Sequence, residues 1–299
     1  MKFIQKYLSL IKFSHTIFAM PFAMIGFFLG VAYLHINNST NDDFKSNGII
    51  LSISLVILCM IFARSAAMAF NRYLDHAIDA KNPRTAVREI PSGKIKPLHA
   101  LYFTLACCLL FILTCYFINP ICFYLSFIAL FIVLFYSYTK RFTPLCHLVL
   151  GIGLSLAPIG AFLAVTGVFQ LMPVLFSIIV FCWVSGFDII YALQDEDFDK
   201  ENNLYSIPAL LGKKKALLIS TILHLITAIV IVYIGYYGEF KIYYWIGATI
   251  FISMLYYQHS LVNPDDLSRV NIAFMTANGI ASVAFSILVI TDILSNTKI

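Results

Sequence analysis

Nine long apolar runs fix the class of this 299-residue chain before any motif is considered. A helix needs about twenty consecutive apolar residues to cross a bilayer. Nine stretches qualify, near 15–35, 48–71, 97–118, 121–139, 145–167, 171–193, 215–237, 241–259 and 270–292. Hydrophobic residues make up 61% of the chain and charged residues 12%, which excludes an ordinary soluble domain and leaves no surface for nucleic acid. The expected fold is all-α, integral to the membrane, with nine transmembrane helices in a single domain over 1–299.

The polar residues are unevenly spread, and their distribution orients the chain. Lys2, Lys6 and Lys12 precede the first run. A signal peptide is the alternative reading there, but the run is long for one and no small-residue cleavage site follows, so it reads as a retained span. Placing the N-terminus in the cytoplasm puts sixteen of the twenty Lys and Arg on one side. They lie in the tail, between Arg72 and Lys96, at Lys140 and Arg141, between Lys200 and Lys215, and at Arg269. The other side holds Lys45, Lys241 and Lys298, and Arg64 lies inside the second run. The positive-inside rule then makes this a multi-pass protein of the inner (cytoplasmic) membrane, its polar loops cytoplasmic and its C-terminus outside. The seven cysteines lie in or beside apolar runs without metal-ligand spacing and read as small apolar residues.

Two polar stretches interrupt the hydrocarbon. The first, NRYLDHAIDAKNPRTAVREIPSG from Asn71 to Gly93, sets Asn71, Asp75 and Asp79 four residues apart, the spacing of neighbours on one helix face. Arg84, Arg88, Lys94 and Lys96 follow at once. The second, Gly186 to Gly212, repeats the pattern with Asp195 and Asp199, Asp197 between them, then a basic, proline-containing segment. Oxygen ligands beside a basic cluster suit a hard divalent cation holding a phosphate-rich substrate. Solvated turns are the plain alternative, but carboxylates packed at helical spacing repel unless a cation compensates them. Both motifs start at the end of a second helix if the spans form two four-helix units plus one around a central cavity. That arrangement is a pseudo-repeat of 1–143 and 144–265, with a final helix at 270–292.

At these residues the chain resembles the UbiA superfamily of intramembrane aromatic prenyltransferases. Its first motif, Asn-x-x-x-Asp-x-x-x-Asp, is met by Asn71, Asp75 and Asp79, and its second, Asp-x-x-x-Asp, by Asp195 and Asp199. Arg84-Thr85, Arg88, Pro91-Ser92-Gly93, Tyr191-Ala192 and Tyr138-Thr139-Lys140-Arg141 resemble the 4-hydroxybenzoate polyprenyltransferase branch. KNPRTAVREIPSG with FDIIYALQDEDFD also resembles a subgroup associated with the futalosine route to menaquinone, which leaves the aromatic acceptor open. Departures are Arg72, where many members carry Asp, and His15–Pro21, which lacks the arginine expected near an aromatic acid, with Lys12 as its replacement.

The resemblance implies Mg²⁺-dependent transfer of a polyprenyl chain from its diphosphate to an aromatic acid in quinone biosynthesis. Asn71, Asp75, Asp195 and Asp199 are the implied primary metal ligands, with Asp79 and Asp197 second. Lys140, Arg141, Arg72, Arg84 and Arg88 are implied diphosphate contacts, and Tyr138 and Tyr191 implied walls for an allylic cation. Asp188 and Arg64 are ionisable groups within spans and therefore functional candidates, for orienting the acceptor or for pairing with one another. His15 and His147 read as satisfied helix histidines. Rival acceptors are a naphthoate, a haem or homogentisate-like ring, or a phosphosugar. A rival class is an ion-coupled secondary transporter, which would place its acids at mid-span; a purely structural membrane protein would not need two matched motifs.

Overall fold

The structure, a computed structural model, describes residues 3–11, 18–37 and 47–297. Lys2, Lys12, His15, Lys45 and Lys298 lie outside the described residues. A short amphipathic helix α1 (Phe3–Leu10) comes first. The long helices are α2 (Met20–Ile36), α3 (Asn47–Asp79), α4 (Pro97–Ile118), α5 (Pro120–Thr139), α6 (Cys146–Thr166) and α7 (Leu171–Ala192). Short α8 (Glu196–Glu201) and α9 (Ile207–Leu211) follow, then α10 (Lys213–Tyr237), α11 (Ile242–Ser260) and α12 (Asn278–Thr297). Among the described residues, seven helices are long and apolar enough to cross a membrane: Gly48–Asp79, Pro97–Ile118, Pro120–Thr139, Cys146–Thr166, Leu171–Glu201, Lys213–Tyr237 and Ile272–Thr297. The 17-residue α2 and the tyrosine-rich α11 occupy the first and eighth apolar runs.

The helix ends follow local chemistry. Pro97 and Pro120 sit at first-turn positions, where the missing N–H costs nothing. Asn119 caps α5 by accepting from Cys122 N at 2.8 Å, and its amide donates to Leu163 O at 2.9 Å, tying the α4–α5 turn to α6. Asp292 of α12 caps α11: its two carboxylate oxygens accept from Lys241 N and Tyr244 N at 2.9 and 3.2 Å. Asn296 Nδ2 also donates to Asp292 Oδ2 at 3.1 Å, so that buried acid is satisfied by a structural role.

Lipid tails are as apolar as leucine, so helix positions in a membrane are set by close packing and buried hydrogen bonds. Gly26 of α2 lets the α6 backbone approach so closely that a Cβ would lie 2.0 Å from Pro158 O. Gly151 of α6 does the same against α7, where a Cβ would meet Ser185 Oγ at 2.2 Å. Trp183 on α7 donates to Asn278 Oδ1 at 2.8 Å, and Asn278 donates to Phe274 O at 2.9 Å in a single π-turn, Ile272–Ala277. In α7, 67% of the apolar window is buried, against 17% to 22% in α3, α4 and α5. Helix α7 is therefore the central post, packed against α6 and α10, while α3 to α5 form the lipid-facing wall.

Candidate active site

The first acidic motif is helical, as its four-residue spacing predicts, and the helix continues beyond the apolar run that ends near 71. Helix α3 runs to Asp79, so Asn71, Asp75 and Asp79 share one face of its last turns. The helix ends at Asp79, three residues before Asn82-Pro83, where proline disfavours the helical conformation of the residue before it and bars continuation. Asn82 Oδ1 accepts from Arg84 N at 2.9 Å, and Thr85 Oγ1 donates to Asp79 O at 3.0 Å. The segment 83–96 is thereby folded back beside the helix that precedes it. The second motif is built differently. After α7 a 3₁₀ turn, Leu193–Asp195, leads into α8, so Asp195 and Asp199 stand on two short elements. Ser206 Oγ accepts from Ala209 N at 3.2 Å as the cap of α9 and donates to Asp199 Oδ2 at 2.8 Å.

Both motifs line one polar cavity of about 170 Å³: Asn71, Asp75 and Asp79 from α3, Asp195 and Asp199 from beyond α7, with Lys140 and Ser206. A second cavity of about 730 Å³ is mainly apolar and runs from Asn71 to Ile118, Cys122 and Phe169 near the opposite helix ends. Asn71, Arg84, Arg88, Tyr136, Asp188 and Tyr191 line both. An anionic head and a long hydrocarbon tail could thus be held by one continuous site.

The carboxylates are compensated by bases. Asp75, 2% exposed, accepts from Arg141 Nη2 at 2.7 Å and from Asn71 Nδ2 at 3.0 Å, and lies 3.3 Å from Lys140 Nζ. Asp79 accepts from Arg88 Nη1 at 2.6 Å, with Arg72 Nη1 at 4.0 Å. Asp195 is paired with Arg84, whose Nε donates to Oδ1 at 3.1 Å, and Asn82 Nδ2 donates to the same oxygen at 3.1 Å. Arg84 also donates to Tyr191 Oη at 2.8 Å and lies over that ring. Burial lowers the Arg84 guanidinium's proton affinity, but Asp195 and Tyr191 outweigh it and hold its pKa above the ordinary arginine value.

Other candidates fall outside this cluster. Asp197 is exposed and lines neither cavity. Tyr138 is 42% exposed and also lines neither; its ring faces the Arg141 guanidinium at 5.9 Å. Arg72 and Arg64 line the large cavity, and the Nε atoms of both are buried without a hydrogen-bond partner. Asp188 pairs with His147, not with Arg64: His147 Nδ1 lies 2.7 Å from Asp188 Oδ2. Sequence reasoning missed Asn82, Tyr136 and Ser206. Asn82 had one usable signal, its place before proline at a helix end; the other two had none.

A hard cation fits these residues in a particular way. The two acidic motifs offer oxygen donors to the polar cavity, and Asp79 Oδ2 is buried without a hydrogen-bond partner. Among the described residues, no three His, Cys, Asp or Glu side chains are grouped closely enough to hold a metal unaided. The arrangement suits an ion completed by substrate oxygens and water, as Mg²⁺ sites commonly are.

Fold and site together define a polytopic α-helical membrane enzyme. Residues 19–280 match the model of the UbiA prenyltransferase family, and the chain belongs to that family. It is a prenyltransferase and an integral, multi-pass membrane protein. The chain is 28% identical over 251 residues to the 4-hydroxybenzoate octaprenyltransferase of Francisella tularensis subsp. tularensis, covering 82% of this chain and 83% of that one. The apo structure of a UbiA homolog from Aeropyrum pernix K1 matches with a TM-score of 0.76 at 28% identity, over 94% of this chain and 98% of that one. A UbiA homolog from Archaeoglobus fulgidus bound to GPP and Mg²⁺ shares the fold, with a TM-score of 0.73 at 22% identity, over 96% and 99% of the two chains.

Proposed function

We propose that the protein transfers a polyprenyl chain from polyprenyl diphosphate to an aromatic acid of the 4-hydroxybenzoate type, in quinone biosynthesis and with Mg²⁺. One observation carries the reading: two acidic motifs share a polar cavity that six residues join to a long apolar one. The 4-hydroxybenzoate octaprenyltransferase relatives support the acceptor class, and the archaeal homolog bound to GPP and Mg²⁺ supports the donor and the metal.

Asn71, Asp75, Asp195 and Asp199 would hold Mg²⁺, with Asp79 at their edge; Asp197, exposed, is the weakest member of the assigned set. Magnesium, when bound, neutralises the charge that builds on the departing diphosphate. Lys140, Arg141, Arg84 and Arg88 hold diphosphate oxygens by exchanging a carboxylate partner for a phosphate one. Tyr136 and Tyr191 wall the allylic carbon with π-faces. Arg64, a guanidinium with an unsatisfied buried N–H in the large cavity, receives the acceptor's carboxylate.

The same reading takes α2 and α11 as spans, nine in all, in two pseudo-repeated units, 1–143 and 144–265, with a final helix. The sixteen clustered bases support an inner membrane location with the N-terminus and the site cytoplasmic.

Membranes containing the protein, given labelled polyprenyl diphosphate, Mg²⁺ and a panel of aromatic acids, should prenylate 4-hydroxybenzoate and stop when chelator is added. Transfer to no acid, or transfer indifferent to chelator, sinks the reading. Preference for a naphthoate-type acid in the same panel would move the acceptor and keep the chemistry.

A further inference from the structure

Of the six residues lining both cavities, Asp188 is the one carboxylate among the described residues. Asp75, Asp79 and Asp195 each hold a lysine or arginine. The partner of Asp188 is a histidine on α6. His147 is buried, and both its ring nitrogens are engaged. Ile207 N–H donates to His147 Nε2 at 3.4 Å, so that nitrogen is the unprotonated acceptor. Nδ1 then carries a ring proton and donates it to Asp188 Oδ2 at 2.7 Å. Asp188 Oδ1 has no protein hydrogen-bond partner among the described residues.

The clamp on His147 is shared with the diphosphate site. Tyr205 N donates to Lys140 O at 2.7 Å, Ser206 holds Asp199, and Ile207 holds the imidazole. Three consecutive residues thus fix the basic ligand, the second acidic motif and the histidine together.

We propose that Asp188 is the catalytic base of the transfer and that His147 is its positioning residue. The proposal rests on the function argued above. The allylic C–O bond breaks and its electron pair leaves with the diphosphate. A ring π pair forms the new C–C bond, and the alkylated ring carbon then carries one hydrogen too many. Asp188 Oδ1 takes that hydrogen as a proton, the C–H pair restores aromaticity, and the proton passes to water in the polar cavity. The base must stand where head and tail cavities meet, because the new bond forms there. His147 keeps the carboxylate turned toward the junction.

The test uses the full-length enzyme in membranes, with acceptor acid carrying either hydrogen or deuterium at the alkylated ring carbon. Asp188→Asn should lower kcat by about 100-fold or more and should show a primary isotope effect on kcat that the parent lacks. His147→Leu should lower kcat by about tenfold through the lost charge-assisted hydrogen bond, with the same isotope effect and an unchanged KM for polyprenyl diphosphate. His147→Gln, which keeps an amide donor, should restore kcat to near the parent value. Asp188→Asn at parental kcat, or Leu and Gln behaving alike at 147, overturns the proposal. If Asp188→Asn does not accumulate in membranes, the two His147 variants decide alone. A parent enzyme that alkylates no acid refutes the functional reading itself, whereas an active parent confines any failure to this pair.

Discussion

The two acidic motifs are alike in sequence and unlike in construction. The first stands on the last turns of one continuous 33-residue helix, with Asp75 and Asp79 only 2% and 4% exposed and locked to bases from neighbouring segments. The second is spread over a 3₁₀ turn and a six-residue helix, its Asp199 held by one serine hydroxyl. Arg84 reaches from one to the other and is the strut between them. A buried ion pair is costly to half-dismantle, because the remaining charge is left uncompensated. The first motif is therefore the more firmly anchored of the two.

That contrast orders the expected effects. Asp75→Ala strands Lys140 and Arg141 and should cost about 10³-fold in turnover, measured as label transferred per unit of membrane-inserted protein. Equal activity in parent and variant would remove Asp75 from the site. Arg84→Ala cuts the strut and should raise KM for polyprenyl diphosphate while lowering kcat/KM by about 10²-fold; a fall confined to the acceptor's KM would break the comparison. Ser206→Ala loses a cap and the bond to Asp199. It should destabilise by about 1 kcal/mol and lower turnover by about tenfold, both visible when thermal unfolding and activity are followed together. Asp197→Asn and Tyr138→Phe should each stay within about twofold of the parent, and a large loss in either would redraw the second motif.

The apolar runs and the four-residue spacings could be read directly from the chain, because hydropathy and helical periodicity are local properties. Helix ends were misplaced for a physical reason. Where α3 leaves the apolar region it stays helical for two more turns, so loss of hydrophobicity at Asn71 marks a solvent boundary and not a helix boundary. The true stop signal was Asn82-Pro83. His147 and Asp188 are 41 residues apart, and Asn82 and Asp195 are 113 apart. Only the packing of α6 against α7, and of the folded-back segment against the second motif, brings them together. Lone residues on apolar helices carry no mark of such meetings.

The overshoot of α3 has a consequence for energetics beyond the site. Thirty-three residues rise about 50 Å, whereas the hydrocarbon layer is about 30 Å thick. The helix is therefore long enough to carry the motif at its end past the oily layer. A prenyl transfer run across that boundary parts its two products by solubility: the diphosphate dissolves in water and the prenylated product stays among lipids. Phase separation then pulls the transfer forward, and the enzyme need not bind either product tightly to keep them apart.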